Sequence, residues 1–243
     1  MKRKLTLIFL LFVCLFANAQ VIDTIAIVKT EDPLSYKQFI IPATLFTGGF
    51  VLLKTQSNKN IQTDIRKMFG TDFHTRYDDN LQFVSILQIY AGRALGFKPK
   101  NNFKRQTINI LTANAIAIGV TQIMKHTVKE ERPDATDNYS FPSGHTAIAF
   151  TNASLLFYEY KDSNIWYASS GFLFATATGA LRIANNKHYT SDVLAGAGIG
   201  LAMGTIVSYW NPFKSLTIGK NKAHAFLYPQ IGKEYGIGLV ILN

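Results

Sequence analysis

Three short stretches of this chain hold the residues that could do chemistry: Lys125 with Arg132-Pro133, then Pro142-Ser143-Gly144-His145, then Arg182, His188 and Asp192. They supply three permanent cations, two imidazoles, a carboxylate four residues after one imidazole, and a Ser-Gly turn that enters an apolar run. These are the parts of a metal-free phosphoryl-transfer site. The four-residue spacing predicts that His188 and Asp192 share one face of a helix, the carboxylate holding one ring nitrogen and leaving the other free to attack. Lys125, Arg132 and Arg182 cannot serve as bases near neutral pH, and their donors match the oxygens of a phosphate and of its transition state. Pro142 and Ser143 predict a helix start, where Gly144 lets the backbone approach an anion and His145 stands beside whatever binds.

Each stretch alone has a plainer explanation: a surface His/Asp pair, a solvated loop around Lys129, Glu130 and Glu131, or a turn before a helix. Joint occurrence in this order favours a single site. The stretches resemble the three signature motifs of the type 2 phosphatidic acid phosphatase (PAP2) superfamily, which includes bacterial acid phosphatases and vanadium haloperoxidases. The resemblance covers roughly residues 80 to 210. One departure is Leu181, where many members carry serine before the arginine.

The resemblance implies a metal-independent phosphatase without a cofactor. His188 would be the nucleophile that forms a phosphohistidine, Asp192 its orienting partner, and His145 the acid that protonates the leaving alcohol and then activates water. Lys125, Arg132, Arg182, Ser143 and the Gly144 amide would hold the phosphoryl oxygens. The sequence has no His-Glu-x-x-His, cysteine pair or carboxylate cluster of metal-binding type. His126 reads as a structural or solvent-facing histidine, and His74 and His224 have no partners in sequence. Tyr139 and Phe141 could line the pocket mouth or pack beneath the loop.

The elements that must position these groups read as about six helices. Apolar segments run over Phe39–Leu53, Leu81–Leu95, Thr107–Met124, Gly144–Tyr158, Ile165–Leu181 and Val193–Trp210. An antiparallel arrangement brings all three motifs to one end. The last two segments carry no charged residue before Arg182 or after Asp192, and each would be about 26 Å long against a hydrocarbon core of roughly 30 Å. Gly196, Gly200 and Gly204 form a ridge of small residues that allows close helix contact. The expected fold is an all-α bundle of the PAP2 type, embedded in or associated with a membrane. A small C-terminal β-hairpin follows it, over Ala223–Ile231 and Ile237–Leu242, and Val21–Val28 reads as a strand.

At 243 residues the chain suits one domain with appendages. Residues 1–19 read as a secretory signal: Lys2-Arg3-Lys4, an apolar run from Leu5 to Phe16, then Ala17-Asn18-Ala19. Residues 20–79 read as an N-terminal strand and helix region, 80–210 as the phosphatase core and 211–243 as the β appendage. The only cysteine, Cys14, lies in the signal, so the mature chain has no thiol. The net charge is +10, and loss of the signal leaves +7, which suits anionic phosphorylated substrates or lipid headgroups. No nucleic-acid-binding module is recognisable.

The loop from Arg93 to Arg105 carries five basic and no acidic residues at the end opposite the motifs, which favours a periplasm-facing site. Two spans before Arg93, counted after a cleaved signal, would instead return that loop to the periplasm, so the expected setting is the inner membrane or the periplasm. The expected activity is hydrolysis of a phosphomonoester or diphosphate of a membrane lipid: lipid A, an isoprenyl diphosphate or a phosphatidate-like lipid. A soluble periplasmic acid phosphatase acting on small phosphoesters is the alternative. A vanadium haloperoxidase or a non-catalytic lipid-binding protein fits less well.

Overall fold

The structure, a computed structural model, describes residues 33–211 and, at the level of backbone, two strands near the C-terminus. The expected signal, residues 1–19, and the expected strand Val21–Val28 lie outside the described residues. Contacts divide the chain into a unit ending at Pro33 and a second beginning at Leu34, and all the described helices belong to the second.

After a single 3₁₀ turn at Tyr36–Phe39, eight α-helices follow among the described residues: α1 Ile40–Leu52, α2 Gln56–Phe69, α3 Tyr77–Leu81, α4 Val84–Ala94, α5 Phe103–Val128, α6 Gly144–Tyr160, α7 Ile165–Ala184 and α8 Thr190–Tyr209. Side-chain caps set several starts. Thr55 accepts from the Asn58 amide, Asn102 from Arg105, and Asn164 from Tyr167. Two ends are set by left-handed or otherwise positive backbone, Gly70 after α2 and Lys129 after α5.

The count exceeds the six helices expected because two of them are not apolar runs. In α2, polar residues dominate and only one stripe packs inward, through Asn58 and Gln62. The five-residue α3 carries Asp78 and Asp79 in its first turn, which favours a helix N-terminus electrostatically. Both begin before residue 80, and both support the site. Near the C-terminus, strands β1 His224–Gln230 and β2 Gly236–Leu242 pair antiparallel. The residues that join them to each other and to α8 lie outside the described residues, and the fold that positions the site is all-α.

The glycine ridge draws α8 against α6. A Cβ at Gly196, Gly200 or Gly204 would stand 2.5 Å from the Ser143 carbonyl oxygen, 2.4 Å from that of Ala147 and 2.7 Å from that of Thr151. Only glycine lets the backbones approach this closely. The opposite face of α8 meets α1, where a Cβ on Gly198 would lie 2.6 Å from the Pro42 oxygen. Ile89, Ile110, Leu155, Leu156, Tyr160, Tyr167 and Val207 form the main apolar cluster, and full burial of each such side chain contributes about 1.5–3 kcal/mol. The two tyrosine hydroxyls donate to the Ile89 and Gln88 carbonyls at 2.7 and 2.6 Å, so no polar group is stranded by burying them.

Two of the described helices, α5 and α8, are long and apolar enough to cross a membrane. The segments Tyr36–Leu52 and Gln56–Phe69, bent by 96°, add a third if they form one broken span. The segment Ile165–Leu181, expected to be of near-spanning length, is not among the described helices long and apolar enough to cross, and every 18-residue window of α7 includes the charged Arg182. The spanning candidate is instead α5, whose 26 residues run past both ends of the predicted Thr107–Met124 segment.

Candidate active site

The C-terminal ends of α5 and α7 and the N-terminal ends of α6 and α8 meet at one end of the bundle, as the motif order predicts. Lys125, in the last turn of α5, is 8% exposed and donates from Nζ to the Tyr139 and Ser140 carbonyls at 2.5 and 3.3 Å. It therefore fixes the loop between α5 and α6 while its charge stays at the site. Arg132 spans that loop. Its Nε donates to Asp137 Oδ1 at 2.8 Å and its Nη1 to the Lys187 carbonyl at 3.1 Å.

Arg132 Nη1 also lies 3.1 Å from His188 Nε2. A guanidinium can only donate, so Nε2 is the accepting nitrogen and the ring proton sits on Nδ1. That proton faces Asp192 Oδ2 at 3.3 Å. The expected pair is present, but His188 is not helical: α8 starts at Thr190, and His188 lies in the turn between Ala184 and Thr190. The turn is built by Asn186 in the left-handed region (φ 60°), which asparagine tolerates. Gln62 of α2 donates to Asn186 Oδ1 at 2.9 Å and to the Ile183 carbonyl at 3.0 Å, holding the turn in place. Asp192 reaches back from the first turn of α8 and accepts from the Tyr189 amide at 2.9 Å, so one carboxylate caps the helix and orients the imidazole.

Sequence reasoning missed the groups around this pair. Ser140, fully buried, donates to Asp192 Oδ2 at 2.5 Å and lies 3.4 Å from His188 Nδ1. Ser191 donates to Asp192 Oδ1 at 3.0 Å and is itself held by Asn58, which donates to its hydroxyl at 2.8 Å and accepts from its amide at 3.2 Å. Only adjacency to the motif residues hinted at Ser140 and Ser191. Nothing in the sequence connects Asn58, 133 residues away, to Ser191.

Ser143 precedes α6 as its N-cap. Its amide donates to the Asp192 carbonyl at 3.0 Å, and its buried hydroxyl accepts from Thr146 Oγ1 at 2.9 Å rather than capping the helix. No heavy atom lies within 4 Å of a Cβ built on Gly144, so the positive end of α6 faces open space there. Arg182, in the last turn of α7, donates from Nη1 to Asp78 Oδ2 at 2.8 Å, while its Nε is buried without a partner among the described residues. A buried guanidinium donor left open beside other cations is suited to an oxyanion. His145 Nε2 lies 3.1 Å from Asp79 Oδ1. All eight predicted site residues thus converge at one end of the bundle.

The field here is strongly positive. Burial, then Arg182, Lys125, Arg132 and His145, holds the His188 imidazole well below its usual range, so the ring is neutral and its lone pair available. On the loop, hydrogen bonds from the Tyr139 amide and Arg132 keep Asp137 below the usual carboxylate range despite partial desolvation, and bonds from Lys187 and Thr136 do the same for Asp134. The pair Lys187 Nζ to Asp134 Oδ2, at 2.6 Å, ties the loop to the turn that carries His188. His126 and Tyr139 stack at 4.9 Å between ring centroids, and the His126 Nδ1 lies 2.8 Å from the Gln122 carbonyl, a packing arrangement beside the site. Phe141 is fully buried against Phe50. Among the described residues no three His, Cys, Asp or Glu side chains converge as metal ligands.

Residues 106–215, which carry every one of these motif residues, match the PAP2 superfamily. The match thus falls on the stretch that holds the three motifs. Over 155 residues it is 35% identical to the Lipid A 1-phosphatase of Porphyromonas gingivalis, covering 62% of this chain and 35% of the relative. Over 153 residues it is 26% identical to a PA-phosphatase related-family protein of Dictyostelium discoideum, covering 53% of this chain and 56% of the relative. The matches thus span about a third of the length of one curated relative and just over half of the other. The fold is shared with the first transmembrane PAP2 type phosphatidylglycerolphosphate phosphatase from Bacillus subtilis, at TM-score 0.53 and 18% identity, over 71% of this chain and 94% of that one. The all-α bundle that shares this fold includes two described helices, α5 and α8, of spanning length and composition.

Proposed function

We propose that this chain is a PAP2-type phosphatase that removes phosphate from a phosphorylated membrane lipid through a phosphohistidine at His188. The observation that carries the reading is the state of His188: neutral, 1% exposed, its Nδ1 proton directed at Asp192 and its Nε2 lone pair directed among fixed cations. A nucleophile so held meets a phosphoryl group without reorientation.

In the first step Nε2 displaces Arg132 Nη1 as its partner and attacks phosphorus. The bond to the leaving oxygen breaks, and its electron pair departs with that oxygen. Arg132, Lys125 and the open Nε of Arg182 bind the equatorial oxygens, together with backbone amides at the start of α6. The imidazole becomes cationic, and Asp192 stabilises it through Nδ1. His145 protonates the leaving oxygen and then takes a proton from the water that cleaves the phosphorus–nitrogen bond.

The lipid substrate is supported by the membrane-length helices and by the similarity to Lipid A 1-phosphatase. Lipid A, an isoprenyl diphosphate and a phosphatidate-like lipid all present the required phosphate. An outward-facing, periplasmic site is supported by the basic loop between α4 and α5, which lies at the other end of the bundle. The test is phosphate release from a panel of these lipids by purified protein with EDTA present. Parent activity that disappears in His188→Ala is expected. Release by His188→Ala at the parent rate, or by the parent from none of the lipids, would overturn the reading.

A further inference from the structure

The short helix α3 lies outside residues 106–215, yet it puts two carboxylates against the site. They differ in what they touch. Asp78, 1% exposed, accepts from Arg182 Nη1 at 2.8 Å and from Asn185 Nδ2 at 3.0 Å, so it is taken up in holding the end of α7. Asp79 has half its side chain in solvent, and its Oδ1 meets His145 Nε2 at 3.1 Å and the edge of Arg182 at 3.9 Å. A half-exposed carboxylate contributes little to the fold through these contacts. Its charge falls on the imidazole expected to move protons.

We propose that Asp79 is a positioning residue for proton transfer by His145. The carboxylate only accepts, so Nε2–H donates to it and Nδ1 is left to serve the leaving oxygen. Its negative charge also favours the protonated ring. The charged and titratable groups that face His145 are Asp78 and Asp79 from α3, Arg182 from α7 and His188 from the turn before α8. Burial and Arg182 favour the neutral ring, Asp78 is neutralised by Arg182, and Asp79 is the countercharge that remains. As the phosphorus–oxygen bond breaks, the proton passes from His145 to the departing oxygen. The neutral ring then takes a proton from the attacking water and returns to its starting state.

This inference rests on the phosphatase reading above. It is tested with the full chain in detergent on two substrates, a short-chain phosphatidate and 4-nitrophenyl phosphate, whose phenolate leaves without a proton. Asp79→Asn is expected to lower kcat on phosphatidate about tenfold with KM little changed, and on 4-nitrophenyl phosphate far less. The alkaline limb of its pH profile moves about one pH unit lower. Asp79→Glu restores most of the rate. In a His145→Ala background Asp79→Asn adds no further loss, because the two act through one proton. Equal losses on both substrates with an unmoved alkaline limb overturn the inference while leaving the phosphatase reading intact. A parent that releases phosphate from neither substrate overturns both. If Asp79→Asn folds poorly by thermal melting, Asp79→Ser carries the same comparison.

Discussion

Replacing Asp192 by asparagine separates the charge of this residue from its hydrogen bonds. The site can accommodate the change. With the amide oxygen where Oδ2 now lies, it still accepts from Ser140, Tyr189 and His188, now at 2.5, 2.9 and 3.3 Å, and the amide nitrogen can donate to Ser191 Oγ, now 3.0 Å from Oδ1. Shape and helix cap survive, so the cost in stability is expected at about 1 kcal/mol, the scale of one weakened hydrogen bond. The Nδ1 tautomer survives as well, because the Arg132 donor still faces Nε2. What disappears is the countercharge to the imidazolium that the proposed phosphoryl transfer to His188 would form.

Two unit charges about 4 Å apart interact by about 4 kcal/mol at an effective dielectric of 20. The amide oxygen still contributes its dipole, so about 3 kcal/mol of transition-state stabilisation is lost. At about 1.4 kcal/mol per factor of ten, Asp192→Asn should slow phosphoenzyme formation about a hundredfold with KM little changed. Single-turnover phosphate release in detergent, alongside a thermal melt of the same sample, measures both quantities. A folded Asp192→Asn that reacts within threefold of the parent would refute the assignment of Asp192 as countercharge. Ser140→Ala provides a graded companion, since it removes one donor to Asp192 without altering its charge.

Other outcomes follow from the packing and from burial. Gly196→Ala drives a Cβ to within 2.5 Å of the Ser143 oxygen and should lower both melting temperature and kcat, at about 1–3 kcal/mol of overpacking; Gly119→Ala, with nothing within 4 Å, should be neutral or stabilise α5 by up to about 1 kcal/mol. A melt series of the two variants distinguishes a packing requirement from a general intolerance of alanine. His188 has its folded pKa lowered, so the unfolded chain binds the extra proton first: its contribution to stability is flat above the unfolded value of about 6.5 and falls as pH drops below it. His188→Gln should therefore flatten the acid side of the stability profile between about pH 7 and pH 5, measured by chemical denaturation in detergent. At the far end of the bundle Glu159 accepts from the Asn101 amide at 2.7 Å, its side-chain nitrogen at 2.8 Å and Gln106 at 2.9 Å. Glu159→Ala should destabilise the protein by about 1–3 kcal/mol, read by melting, while kcat and KM per folded molecule stay at parent values.

What the sequence made legible and what it concealed divide along a physical line. His188 and Asp192 sit four residues apart because one carboxylate must reach both an imidazole and a helix-terminal amide, and that double duty leaves a fixed spacing. Ser143, Gly144 and His145 must be consecutive because they form the start of one helix, and the glycine ridge must repeat every fourth residue because it faces one neighbour. Local backbone geometry writes such requirements into the chain in order. Asn58, Gln62, Asp78 and Asp79 obey no such rule. Each meets the site across a tertiary contact, from helices that are polar or only five residues long, so neither apolar periodicity nor spacing to a motif marks them. The side chains proposed to contact phosphate are therefore readable from sequence, whereas the groups that hold and charge them emerge only when α2 and α3 are packed in space. If Asp79 tunes His145, the part of the reaction most open to variation between relatives lies in that concealed set: an exposed carboxylate on a short helix can be moved or replaced without disturbing a single motif.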